Sequence, residues 1–293
     1  MNLQIEMNLI QCLVFIIAPF YASGILRKVR ARVQGRKGPP ILQPFYDMVK
    51  FFKKTPKDNP NSGPFAEISP ALAVYSSLFL WSIVTFEWVP FLLIPFFLAL
   101  YRFSLVSFAM ETATSFGGLG SSREILLSVM AEPTIILMIL VAQSHIEISL
   151  TPVGALVGIL FLILSFIAIL AELNKPPFDD PRTHLELTMV HEAMLLESSG
   201  KSLGAFELAY QLKYVSLLGF IIKLAVEHSK IIYNTDLTLL FREAVVLPGI
   251  LVLSIIMGLW EGISVRRKWS WVPEFMGLAF LSILILGTLV KLS

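Results

Sequence analysis

Eight apolar runs, each close to the length that carries a helix across a bilayer, divide this chain from end to end. They fall at about 5–26, 66–86, 90–109, 124–143, 152–172, 206–227, 244–263 and 272–291. A hydrocarbon core about 30 Å thick takes roughly 20 helical residues to cross, and a helix satisfies its own backbone there. The connecting segments are short, so the expected fold is an all-α integral membrane protein, one polytopic unit over 1–293. Charged residues make up 15% of the chain, against about 25% in a soluble domain, so lipid is the expected solvent for most of its surface. Pro95 interrupts the third run and the sixth carries charge, which makes those two the least regular spans. The first run has no basic leader and no small-residue cleavage site before a polar domain, so it reads as a retained span. No internal repeat is visible.

Lysine and arginine placement orients the bundle. The first loop, about 27–64, holds ten of them, and the loops at about 110–123, 173–205 and 264–271 add Arg123, Lys175, Arg182, Lys201, Arg266, Arg267 and Lys268. The opposite side has Lys230, Arg242 and Lys291. The basic side is therefore expected in the cytoplasm, with both termini outside. A formal net charge of +2 argues against nucleic acid as a partner. The single cysteine, Cys12, excludes a disulfide framework, and an iron–sulfur cluster held by this chain alone would need about four thiolates.

Two segments on the cytoplasmic side are unusual. After Pro39-Pro40, ILQPFYDMVKFFKK places Ile41, Leu42, Phe45, Met48, Val49 and Phe52 on one helical face, with Lys50, Lys53 and Lys54 away from it. That pattern predicts an amphipathic helix in the membrane interface, either a topology anchor on anionic lipid or a strut for a docked subunit. The second segment, Ala171 to Gly200, packs acids, two histidines and three prolines between apolar runs. Asp180-Pro181 is a good helix start, and the following residues to Ser199 contain no breaker. His184 and His191 share a face of such a helix but lie about 10 Å apart along it, too far for one metal ion. His191-Glu192 opens a zinc-protease pattern that Leu195 fails to complete. No histidine pair falls within the bundle to ligate haem. The chain alone is therefore not expected to carry electrons.

Arg102, Glu132, Glu172, Glu207, Lys213, Lys223 and Glu261 lie in or at the edge of the spans. Each is costly in hydrocarbon unless paired or wet, so their number predicts a polar file through the bundle, with interhelical ion pairing as the plainer alternative. Pro133 frees a backbone carbonyl one turn before it, which favours water beside Glu132.

RARVQGRKGPPILQPFYDMVKFFKK, GSSREILLSVMAEP and the segment Ala171 to Gly200 together resemble the H-type membrane subunit of respiratory complex I and its hydrogenase relatives, from about residue 20 to 205. The resemblance implies an eight-span subunit that clasps a peripheral redox arm and opens an acidic path toward antiporter-like subunits. By matching position it implies path roles for Arg123, Glu132, Glu172 and Glu197, to which the span charges add Lys213, Lys223 and Glu261. Gly38, Pro39 and Pro44 match the first-loop motif, and Glu172, Asn174 and Phe178 the start of the acidic loop. So do Arg36, Gln43, Asp47 and Lys50 in the first and Lys175 and Asp179 in the second. With Asp180, His184, Glu186, His191 and Glu192 they form the expected docking surface.

Two departures indicate the branch. Residues that complex I subunits carry between Gly38-Pro39 and Leu42-Gln43-Pro44 are missing, and the acidic loop reads DDPRTHLELTMVHE. That wording is similar to the membrane subunits of group 4 membrane-bound [NiFe] hydrogenases and related archaeal sulfur-reducing complexes. The likeness implies hydrogenase-like large and small partner subunits, which would hold iron–sulfur clusters and a nickel–iron or derived site, with ferredoxin as electron donor. It also implies a prokaryotic cell membrane. The alternatives are a quinone-chamber subunit, a secondary transporter, against which the lack of repeats argues, and a pure scaffold.

Overall fold

The computed structural model describes residues 2–55, 62–143, 152–179, 189–227 and 236–292, with side chains over 9–55, 62–142, 156–179, 189–226 and 244–289. Each apolar run falls on a helix. These are α1 (Asn2–Val33), α3 (Pro64–Phe86), α4 (Ile94–Glu111), α5 (Ser115–Gln143), α6 (Pro152–Glu172), α8 (Gly200–Glu227), α9 (Asp236–Ile263) and α10 (Trp271–Leu292). Two shorter helices, α2 (Gln43–Lys53) and α7 (His191–Met194), lie between them, and the described residues contain no strand. Seven of the long helices carry a described stretch long and apolar enough to span a membrane; the described side chains of α6 begin at Leu156 and give a shorter apolar stretch.

Pro95 does not split the third span. It sits in the first turn of α4, behind a 3-10 turn over Phe91–Leu93, where a proline gives up no helical hydrogen bond. The charged sixth run forms the most enclosed span: 83% of its apolar window is buried, against 28–56% for the other six. Its charges Glu207, Lys213 and Lys223 therefore face protein, not lipid. The segment before the fourth run is mostly helical, because α5 starts at Ser115 and leaves a turn at 112–114.

Close backbone approaches fix the frame. Gly258 and Gly262 on α9 face Val29 and Val33 on α1, where an added Cβ would lie 2.9 and 2.6 Å from the nearest valine atoms. Small residues four apart let two spans meet closely. At Gly24, a Cβ would fall 1.7 Å from the Ile41 carbonyl oxygen, so only glycine lets the chain before α2 cross α1. The amphipathic helix starts at Gln43 rather than at Ile41, with Pro44 in its first turn.

The unbroken helix expected from Asp180 to Ser199 is not found where the chain is described. Residues 180–188 lie outside the description, and 189–199 hold only the single turn α7. Asp179 supplies the reason. Its Oδ2 accepts the Val190 N–H at 3.0 Å and the His191 N–H at 3.2 Å, so a new helical turn starts there.

Candidate functional site

A guanidinium stands at the centre of the bundle. Arg102 on α4 is 5% exposed, and its nitrogens meet three carboxylates from two other helices. Nε donates to Glu124 Oε1 at 3.1 Å, Nη2 to Glu172 Oε2 at 2.6 Å, and Nη1 to Glu132 Oε1. Lys213 on α8 closes the group, with Nζ 2.8 Å from Glu172 Oε1 and 2.8 Å from the Glu172 carbonyl oxygen. The same ammonium lies over the Tyr101 ring, 4.7 Å from its centroid. Unpaired charge in such a place is costly, which is why every ion here has a partner. Three carboxylates against two cations still leave one negative charge when all are ionised. One added proton makes the cluster neutral, so it has two charge states separated by a single proton.

A second network lies where α6 ends. Glu261 on α9 takes Lys175 Nζ at 2.5 Å on one oxygen and Arg30 Nη1 at 3.0 Å on the other. Arg27 on α1 joins Asp47 of α2 at 3.1 Å to Glu207 of α8 at 3.3 Å, and Gln43 Nε2 donates to Asp47 Oδ1 at 2.8 Å. Arg27, Arg30, Lys175, Glu207 and Glu261 line a cavity of about 1070 Å³, together with Arg36, Asp179, His191 and Glu192. Lys175 stays an ammonium: burial opposes its charge, but Glu261 and then Tyr210 outweigh burial and raise it. Burial, with Lys213 and Lys175 nearby, depresses His191 to about 3, so its imidazole is neutral. Glu192 is exposed by area at the cavity edge; the atoms packed around it nonetheless raise its carboxyl, burial first and Glu207 next, against Lys175.

Four consecutive residues join the networks. Glu172 and Asn174 face the Arg102 cluster, and Lys175 faces the cavity. Tyr210 of α8 donates its hydroxyl to the Leu173 carbonyl at 3.3 Å, holding the turn between them.

The sequence profile of the NADH dehydrogenase family matches residues 6–290. The chain belongs to that family. Among its relatives, hydrogenase-4 component C of Escherichia coli (strain K12) is 27% identical over 286 residues, covering 92% of this chain and 90% of its own. Formate hydrogenlyase subunit 4 of the same strain is 26% identical over 306 residues, covering 94% and 97%. NADH-ubiquinone oxidoreductase chain 1 of Dictyostelium citrinum is 29% identical over 204 residues, covering 61% and 63%. A chain of the membrane-bound sulfane sulfur reductase, an archaeal respiratory membrane complex, shares the fold at a TM-score of 0.76 and 20% identity, over 99% of this chain and all of that one.

In this member of the family, Glu132 and Glu172 meet at Arg102 and Lys213 joins them through Glu172, while Glu261 belongs to the cavity network. Arg123 points elsewhere, donating to the Met189 carbonyl at 3.3 Å, and its neighbour Glu124 joins the cluster instead. Glu197 is exposed after α7. Lys223 lies ten residues beyond Lys213, bound to Glu87 at 2.6 Å and the Thr85 carbonyl at 3.0 Å. Of the docking residues, Arg36, Lys175, Asp179, His191 and Glu192 line the cavity, Gln43 and Asp47 pair at its edge, and Lys50 is exposed on α2. Asp180, His184 and Glu186 lie outside the described residues. Sequence reasoning missed Arg102 as the hub, counted Arg27 and Arg30 only among the basic first-loop residues, and gave Glu124 and Tyr210 no role. A lone charge in a span signals a partner without naming it, and Glu124 read as the start of a run. Among the described residues, no three His, Cys, Asp or Glu side chains are placed as a metal site would require.

Proposed function

We propose that this chain is the membrane anchor and coupling subunit of a ferredoxin-dependent respiratory complex of hydrogenase type. The cavity face, with α2 and the acidic loop, holds hydrogenase-like large and small subunits that carry the iron–sulfur clusters and a nickel–iron or derived site. Antiporter-like subunits stand beside it in the bilayer. The chain itself is a non-redox part of the oxidoreductase, in a prokaryotic cell membrane with both termini outside, as the lysine and arginine asymmetry argues. One observation carries the reading: a buried ionic cluster with one proton's freedom is joined, through residues 172–175, to a charged cavity where α6 ends. Electron transfer in the docked arm displaces that turn and changes protonation around Arg102, which drives H⁺ or Na⁺ across the membrane. The hydrogenase-type relatives favour this branch, because they match over nearly their whole length.

The native complex, isolated through a tag on this chain, tests the assignment. Nickel together with ferredoxin-dependent H₂ evolution supports a hydrogenase anchor, and polysulfide reduction without H₂ supports the sulfur-reducing branch. A second reading, a quinone-chamber subunit, is favoured by the 1070 Å³ cavity at the arm-facing end. Quinone reduction by the isolated complex would establish it in place of the first.

A further inference from the structure

The turn that ends α6 has more chemistry than ending a helix requires. The Asn174 N–H donates to the Ala171 carbonyl at 3.1 Å and the Lys175 N–H to the Leu170 carbonyl at 2.9 Å. These paired bonds close a helix on a left-handed residue, here Asn174 at φ 52°. Glycine takes that backbone without steric cost and is its usual occupant. The asparagine side chain is in use. Its Nδ2 donates to Glu124 Oε2 at 2.8 Å, holding that carboxylate while the other oxygen meets Arg102. Its Oδ1 is buried and meets no donor among the described residues, although Asn174, 6% exposed, lines the cavity.

Gln211 repeats the pattern from α8. It is 2% exposed, lines the same cavity, and its Oε1 also meets no donor among the described residues. Its neighbours on α8 grip the turn, Tyr210 through the Leu173 carbonyl and Lys213 through the Glu172 carbonyl. Two buried amide oxygens without donors are unfavourable unless a ligand supplies the hydrogen bonds. An apolar tail would leave them unsatisfied, and an anion would be repelled. Water or hydronium fits both.

We propose that Asn174 and Gln211 form the junction through which protons pass between the cavity and the Arg102 cluster, holding water against their amide oxygens. The inference rests on the coupling role proposed above. Neither amide ionises. Water at the junction gives a proton to a cluster carboxylate and regains one from the cavity, while the loaded cluster releases one onward, so charge is restored on each passage.

Asn174→Gly separates this role from helix termination. As a helix end alone, glycine should leave the complex as stable or more so and its pumping unchanged. The junction predicts an assembled complex, with its melting temperature lowered at most by the loss of the Asn174–Glu124 bond, and ions moved per electron reduced at least severalfold. The readout is the isolated complex in liposomes, driven by reduced methyl viologen and followed with a pH dye with and without monensin. Gln211→Leu, which removes the second oxygen, should act in the same direction. Glu132→Gln is the control. If it uncouples while both Asn174→Gly and Gln211→Leu pump in full, the junction is wrong and the coupling role stands. If Glu132→Gln itself pumps in full, both fall.

Discussion

Arg102 settles most of what this bundle can do with charge. One guanidinium serves three glutamates, and Lys213 alone cannot replace it. Removing one partner of a buried ion pair costs about 3–5 kcal/mol, because the remaining charges stay buried. Arg102→Gln should therefore lower the melting temperature of the detergent-solubilised complex or block its assembly. Arg102→Lys should retain assembly but lose the three-way geometry, since an ammonium is not a planar fork. His191 makes a different prediction. Its folded-state value, about 3, lies below the ordinary value of 6.5, so the neutral imidazole's contribution is fully present above pH 6.5. As pH falls below that, the unfolded chain takes the proton first, and the contribution drains away down to about pH 3. His191→Gln should narrow the loss of melting temperature between pH 7 and pH 5.

At the scale of elements, the cavity depends on how closely α1 and α9 approach. Gly262 lies beside Glu261 and its Cβ position is 2.6 Å from Val33, so Gly262→Leu forces the crossing apart. Overpacking of this kind costs about 1–3 kcal/mol. The expected result is a lower melting temperature and a weaker Arg30–Glu261 contact, seen as reduced retention of the partner subunits on a tag pull-down. The elements themselves were legible because length and apolarity decide a span, and each run became a helix. What was not legible depended on contacts between distant segments. The break before α7 comes from the Asp179 carboxylate reaching forward to Val190 and His191, and no local propensity encodes it. Pro95 looked like a break and became a helix start because the preceding turn absorbed it. Glu132, Glu172 and Lys213 could be chosen from their position in apolar runs, yet the Arg102 that Glu132 and Glu172 share, and the Glu172 that Lys213 meets, required knowing which helices pack together.

Across the whole molecule, charge is arranged by depth. The cavity network lies where α1, α2, α6, α8 and α9 meet, the Arg102 cluster lies within the span region, and Lys223 with Glu87 lies farther along α8. Such an order suits a subunit that receives a push at one face and passes a change of protonation into the bilayer, and it explains why the most charged span is also the most enclosed. Glu132 is the natural place to interrupt it: its side chain is 28% exposed, so glutamine there leaves no deeply buried gap and turns the cluster's odd charge into a balanced one. The decisive measurement is ion translocation per electron by the Glu132→Gln complex in liposomes, beside the unaltered complex. Coupling through this chain predicts a fully assembled complex that transfers electrons and builds little or no ion gradient. An assembled variant with an unchanged ion-to-electron ratio would contradict it.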